Sequence, residues 1–385
     1  METLNVSLSK NPNPAAGLSG LTASLPDRPP LVTGAQVFHG GPDSPFLAPR
    51  GVWLAGGRLL VADTGQNRVF IWHELPTGEL AAPDVVLGQT QAHGTGRNAG
   101  HAATAGSLHY PSGLWSDGRR LAVADAWNHR VLLWHTFPTC SGQPADVVLG
   151  QPDFESNQPN GQGIGQLPTA RSLHWPYGVC ADGPRLWVAD TGNRRVLRFN
   201  QWPAHSHAAA DAVIGQPSFA ERDYDPAQAV WPYTVRVGPA GQLLVADTQS
   251  YRLLLWQHWQ HAAHRRADLV LGQPDFDATG QNQYGLYPAA HTLSWLYDAC
   301  FHENRLLVAD TGNSRLLWHD AVPATSGAAA NNLLGHASFA VGSENATTRF
   351  GTERQLYWPF SLSAEGRHLA VADTGNHRII LYTLT

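Results

Sequence analysis

One phrase recurs six times along the chain, and this repetition restricts the fold more than any other feature. "LLVADTGQNRVFIW" (59–72) is followed by "LAVADAWNHRVLLW" (121–134), "LWVADTGNRRVLRF" (186–199), "LLVADTQSYRLLLW" (243–256), "LLVADTGNSRLLWH" (306–319) and "LAVADTGNHRIILY" (369–382). Its aspartates, Asp63, Asp125, Asp190, Asp247, Asp310 and Asp373, lie 62, 65, 57, 63 and 63 residues apart. A regular period signals units that stack to share a core. Each period holds four short runs rich in Val, Leu, Ile and aromatic residues. In the third they are "YGVCA" (177–181), "RLWVA" (185–189), "RVLRF" (195–199) and "DAVIG" (211–215). Gly, Pro, Asp and Asn split the runs, as turns between strands require. No long stretch carries a helical period. Four strands repeated six times predict an all-β, six-bladed β-propeller of four-stranded blades.

A second phrase marks the fourth strand: "DVVLGQTQ" (84–91), "DVVLGQPDF" (146–154), "DAVIGQPSF" (211–219), "DLVLGQPDF" (268–276) and "NNLLGHASF" (331–339). Only five copies follow a third strand, so the last blade lacks its outer strand unless the other end of the chain supplies it. "PLVTGAQVF" (30–38) aligns with "DVVLGQPDF" through Gly34 and Phe38. Residues 30–38 are therefore expected to close the ring as the outer strand of the C-terminal blade, leaving no bare edge. This divides the chain into one propeller domain, 30–385, and an N-terminal tail, 1–29. The tail is rich in Ser, Pro, Asn and Ala and is expected to be flexible or partner-bound. Each repeat aspartate has an arginine five positions later: Arg68, Arg130, Arg195, Arg252, Arg315 and Arg378. The two flank a tight turn and are expected to pair across it. Gly65, Gly192, Gly312 and Gly375 are expected to supply a positive φ in that turn.

Charge narrows the choice of partner. The formal net charge is −5, Lys10 is the only lysine, and six arginines are committed to the repeat. Little positive charge is left for a phosphate backbone, which argues against nucleic acid. No run of about 18 apolar residues is present to span a membrane. The amino end does not read as a signal peptide. Three widely spaced cysteines, Cys140, Cys180 and Cys300, fit a reducing compartment, so a cytoplasmic location is expected.

The unit "P.GV…..LLVADTGNHRV", as at Pro176–Val196 and Pro359–Ile379, resembles the NHL repeat. With the added "LGQPDF" signature, the chain is similar to a bacterial NHL subgroup over residues 30–385. The resemblance implies the propeller fold. It leaves function open, because NHL-type propellers include protein-binding scaffolds, RNA-binding domains and a metal-dependent lyase that processes amidated peptides. Related six-bladed propellers include calcium-dependent lactonases. Function has to be argued from a site.

In a propeller of this kind the inter-blade loops and the second-to-third-strand turns emerge on one face, and the first strands line the channel. Four of these loops are long and polar: 90–109, 155–174, 277–294 and 340–357. Such loops often carry function. Five of the six first strands follow a proline step, the fifth having Trp295-Leu296 instead, and the next residues run Arg50, Ser112, Tyr177, Tyr233, Tyr297 and Phe360. Four aromatics beside one arginine at the channel mouth suit a flat, cationic or peptide ligand. The following position holds Asp298 as its one acid, beside Gly51, Gly113, Gly178, Thr234 and Ser361. In the turns, Trp127 replaces the glycine and Tyr251 follows an atypical "TQS"; both are candidate partner contacts. The candidate site is thus Arg50, Trp127, Tyr177, Tyr233, Tyr251, Tyr297, Asp298 and Phe360. The aromatics preceding the prolines, Tyr110, Trp175, Trp231 and Trp358, read as wedges between blades.

No Gly-x-Ser-x-Gly elbow or Walker loop is present. A calcium site needs several converging oxygen ligands, and the mouth offers only Asp298. A zinc site needs about three His or carboxylate ligands and one open position. His109 and His174 share one repeat position ("LHYP", "LHWP"), with His39, His93, His101 or His291 as possible third ligands. The leading expectation is a non-catalytic binding or scaffold module without a cofactor. It would engage a protein or peptide partner through the long-loop face and channel mouth. The alternative is a Zn-dependent lyase or hydrolase using those loop-side histidines.

Overall fold

The computed structural model describes residues 32–347 and 351–385; the tail at 1–29 lies outside them. Six four-stranded antiparallel sheets surround one axis. The innermost strands are Gly51–Ala55, Pro111–Ser116, Pro176–Asp182, Pro232–Val237, Asp298–His302 and Pro359–Glu365. Each packs against the next, and the last packs against the first, which makes a closed six-bladed β-propeller. Among the described residues the only helices are short 3-10 turns, and none is long and apolar enough to cross a membrane.

The ring closes as expected, in a register the sequence alignment did not capture. Val32–Phe38 runs antiparallel to Arg378–Leu384, with Phe38 opposite Ile379 and Val37 opposite Ile380. In the second blade Leu149 stands opposite Val131, the counterpart of Ile379. Phe38 therefore takes the place of Leu149, not of Phe154, and Gly34 lies opposite Thr383. Burial decides this register: Phe38 and Leu149 are both core residues, and a one-residue slip would turn each to the other face.

The Asp–Arg pairs form across the turns in all six blades, and they do more than hold hairpins. Asp190 accepts from Arg195 Nε at 2.7 Å and, through its other oxygen, from the His174 N–H at 2.7 Å. Arg195 then donates Nη1 to the Phe219 carbonyl and Nη2 to the carbonyls of Thr169 and Ser172. One buried guanidinium thus ties the loop entering a blade to the loop leaving it. Arg68, Arg130, Arg252 and Arg315 repeat this pattern, whereas Arg378 donates to Gly351, Thr352 and Gln355, all in the loop entering its blade. The "LGQPDF" phrase is the other half of the same latch. Gly150 adopts φ +90°, Gln151 Nε2 donates to the carbonyls of Asn128, His129 and Gln158, and Phe154 offers its carbonyl to Arg130. The four long loops are pinned by buried amide pairs, Asn98–Asn128, Asn160–Asn193, Asn282–Asn313 and Asn345–Asn376.

The turn glycines serve a different purpose from the one expected. The positive φ falls on the residue just before each arginine: Asn67, His129, Arg194, Tyr251, Ser314 and His377, at 52–55°. Gly192 is needed because the His174 side chain lies over it; a Cβ there would sit 2.6 Å from the ring. Leu47, Ser294 and Tyr357 crowd Gly65, Gly312 and Gly375 in the same way.

Candidate functional site

Six side chains close the channel mouth in an unbroken circle, one from each blade. Tyr177 stacks on Tyr233 with centroids 4.7 Å apart, and Tyr233 meets Tyr297 edge-on at 4.6 Å. Tyr297 stacks on Phe360 at 4.1 Å. The Arg50 guanidinium lies 4.3 Å over Phe360 and 5.3 Å from the centre of Tyr110, whose edge faces Tyr177 at 6.4 Å. Offset-stacked and edge-to-face contacts are the geometries the ring quadrupole favours. The expected mouth residues are therefore brought together, with one exchange. Ser112 is buried and too short to reach its neighbours, so Tyr110, from two residues earlier, takes its place. The clue was available: Ser112 is the one small residue in the mouth set.

Trp127 joins the circle from above. Its indole stacks on Tyr110 at 4.5 Å, and its Nε1 donates to the Tyr177 hydroxyl at 3.4 Å. It stands 45 % exposed because His109 occupies the space below, its ring edge-on to the indole. Tyr251 stays outside the circle and packs edge-on against Trp295 at 5.2 Å.

Asp298 is placed one layer below the mouth, where it is saturated and not free to receive a ligand. Arg236 Nη2 donates to both of its oxygens at 3.0 and 2.7 Å. The Ser361 hydroxyl and the Leu362 and Ala299 N–H groups complete its shell. Arg236 also lies 4.8 Å over Trp53 of the first blade, so this pair braces the channel across its width. Sequence reasoning missed Arg236, although the inner-strand positions Trp53, Trp115, Cys180, Arg236, Cys300 and Ser363 include it as their one charge. Burial pushes the Cys300 thiol up to about 12, with Asp298 adding to the effect, and it also raises Cys180. Both stay protonated and poorly nucleophilic. Only about 10 Å³ remains open between the circle and this brace, no more than one water would fill. The shaft is a plug, so a ligand at the mouth binds above it.

Above the circle, a cleft of about 300 Å³ opens between the fifth and sixth blades, lined by Arg50, Trp295, Tyr297, Thr311, Gly312, Trp358 and Phe360. Trp295 and Trp358 are 39 % and 43 % exposed. The aromatic–proline residues were read as wedges. Trp358 instead presents much of its surface to solvent at the mouth, as does Trp295 at the same position of the fifth blade.

The histidines do not assemble a donor set. His109 packs against Trp127, while His174 lies against His129 at 5.3 Å and Trp175 at 4.5 Å. His129 Nδ1 accepts from the Trp175 N–H. Burial lowers all three pKa values, to about 4 for His109 and about 3 for His129. Among the described residues, no group of three or more His, Cys, Asp or Glu is placed to hold a metal ion.

No family model and no curated relative matches the chain. Among solved structures, the chain is similar to a protein of unknown function from Bacteroides thetaiotaomicron, at TM-score 0.51 and 11 % identity, covering 91 % of this chain and 76 % of that one. Virginiamycin B lyase from Staphylococcus aureus aligns at TM-score 0.46 and 10 % identity, covering 91 % and 99 %. At these identities, the likeness to the Bacteroides protein shows the propeller fold and nothing finer.

Proposed function

We propose that this chain is an NHL-type binding or scaffold propeller that engages a protein or peptide partner through its long-loop face and channel mouth. One observation carries the reading. Twelve large apolar side chains stand exposed among the described residues, and all but Leu80 lie in inter-blade loops or second-to-third-strand turns. They include Trp127, Trp295 and Trp358 near the axis, and Leu167, Tyr284 and Leu286 further out. Exposed apolar groups gathered on one face mark an interaction surface, and tryptophan is a preferred anchor. The saturated Asp298 and the protonated buried thiols add no catalytic group to this surface.

The test is a peptide-display selection against the full chain, followed by affinity measurement on face variants. Binders are expected to lose about tenfold or more on Trp127→Ser, Trp358→Ser or Leu286→Ser. They are expected to ignore Leu80→Ser, in the loop between the third and fourth strands of the first blade. Binders that respond only to Leu80→Ser would reverse the assignment.

A further inference from the structure

Taking the mouth as a peptide- or protein-binding surface, we infer that the cleft between the fifth and sixth blades binds a carboxylate carried on an aromatic group. The walls set the first half of this chemistry. Trp295, Tyr297, Trp358 and Phe360 offer aromatic faces and edges around about 300 Å³, the lower end of the range for ligand pockets. A flat apolar group is what such walls recover energy from.

Arg50 sets the second half. It stands at the inner end of the cleft and is its only charge. The six repeat arginines and Arg236 each hold a buried aspartate. Arg50 makes no ion pair with any described residue. Asp298 lines the same mouth from below but is fully engaged by Arg236, Ser361 and two backbone N–H groups. It has no capacity left to neutralise Arg50. A guanidinium half-covered by Phe360 and Tyr110 has lost water on its faces, while its edge, which the Tyr233 hydroxyl approaches, carries five N–H donors and no carboxylate partner, so a ligand carboxylate can take two of them in parallel hydrogen bonds. The same cation repels the positively charged ligand that the aromatic mouth suggested from sequence.

A free aromatic acid and the carboxyl-terminal aromatic residue of a peptide share this chemistry. Titration calorimetry on the full chain separates them, using 3-phenylpropionate, its primary amide, phenethylamine, and a hexapeptide ending in phenylalanine as free acid or amide. The acids are expected to bind about 10- to 100-fold tighter than the amides, and the amine weakest. Arg50→Gln is expected to erase the preference, and Trp358→Ala to weaken acid and amide alike. Equal affinity of acid and amide on the unmodified chain, or no binding of either acid at millimolar concentration, overturns the assignment without reliance on a variant. If 3-phenylpropionate binds but neither peptide binds or displaces it, the cleft chemistry stands and the peptide-partner reading falls. If peptides bind the mouth with no preference for the free acid, the partner reading stands and the carboxylate assignment falls.

Discussion

At the rim of the ring, Asp190 and Arg195 and their five counterparts meet with nearly identical geometry, 2.7 to 3.0 Å apart and buried. At the axis, the equivalent mouth positions of the six blades hold one arginine, one serine, three tyrosines and one phenylalanine. The rim repeats because every blade faces the same mechanical task of anchoring its incoming loop, and in the first five the same guanidinium also holds the outgoing one. The axis is where six blades meet once, so each can contribute something different. Between the second and third blades the rim itself breaks rank. Thr64, Thr191, Thr248, Thr311 and Thr374 each donate a hydroxyl to a carbonyl of the next blade. Ala126 has none to give, and beside it stand the exposed Trp127 and the His129–His174 pair. Repetition marks what holds the ring, and its lapses mark what the ring presents.

The strongest way to break this contrast is Asp190→Ala. It strands Arg195 as a buried charge and should cost about 3–5 kcal/mol in urea unfolding, whereas Arg50→Gln should cost less than about 1 kcal/mol. Equal losses would mean that rim and axis carry the same load.

Next in size is a pH effect at the irregular junction. Burial, then the neighbouring His174 and His109, depress His129 to about 3. In the unfolded chain the imidazole titrates near 6.5, so below that pH the unfolded state binds the proton and the folded state resists it. The stability His129 provides is present above about pH 6.5 and is lost as pH falls toward 3, amounting to about 2 kcal/mol at pH 5. His129→Asn should flatten the decline between pH 7.5 and pH 5. Asn67 already fills this position in the first blade, accepting from the Tyr110 N–H as His129 accepts from Trp175. An unchanged pH slope in thermal melts would show that His129 is not the titrating group.

Ala126→Thr restores the missing inter-blade hydrogen bond and should stabilise the ring by about 1 kcal/mol. A loss would show that the junction has repacked around the alanine. The smallest expected change is the stability of Trp127→Ala, within about 0.5 kcal/mol because the indole is half in solvent. A large loss there would make Trp127 a structural wedge and remove it from the proposed binding face.

The blade number, the strands, the closure and the Asp–Arg pairing are all legible in the sequence, because each depends on residues a fixed distance apart within one repeat. The phenylalanine in "PLVTGAQVF" misled the register, since a shared letter says less than which residue is buried. The axis is read less completely for a physical reason. Tyr110 replaces Ser112, and Arg236 engages Asp298, through contacts between blades about sixty residues apart. Side-chain length and charge balance around the axis decide such contacts, and no local pattern encodes them. The turn glycines teach the same point: a side chain packed from the preceding loop, not the backbone angle, excludes a Cβ.

The outermost strand of the sixth blade has a consequence for how the protein is made. Val32–Phe38 leaves the ribosome before any blade exists and meets its partner only when Arg378–Leu384 has followed. Until that moment the nascent propeller is an arc with two bare ends. Joining distant segments adds only about 0.6 kcal/mol per doubling of the intervening length, so waiting time is the greater hazard. Two unfinished arcs that meet in the cell can exchange these ends and emerge as an interlocked pair.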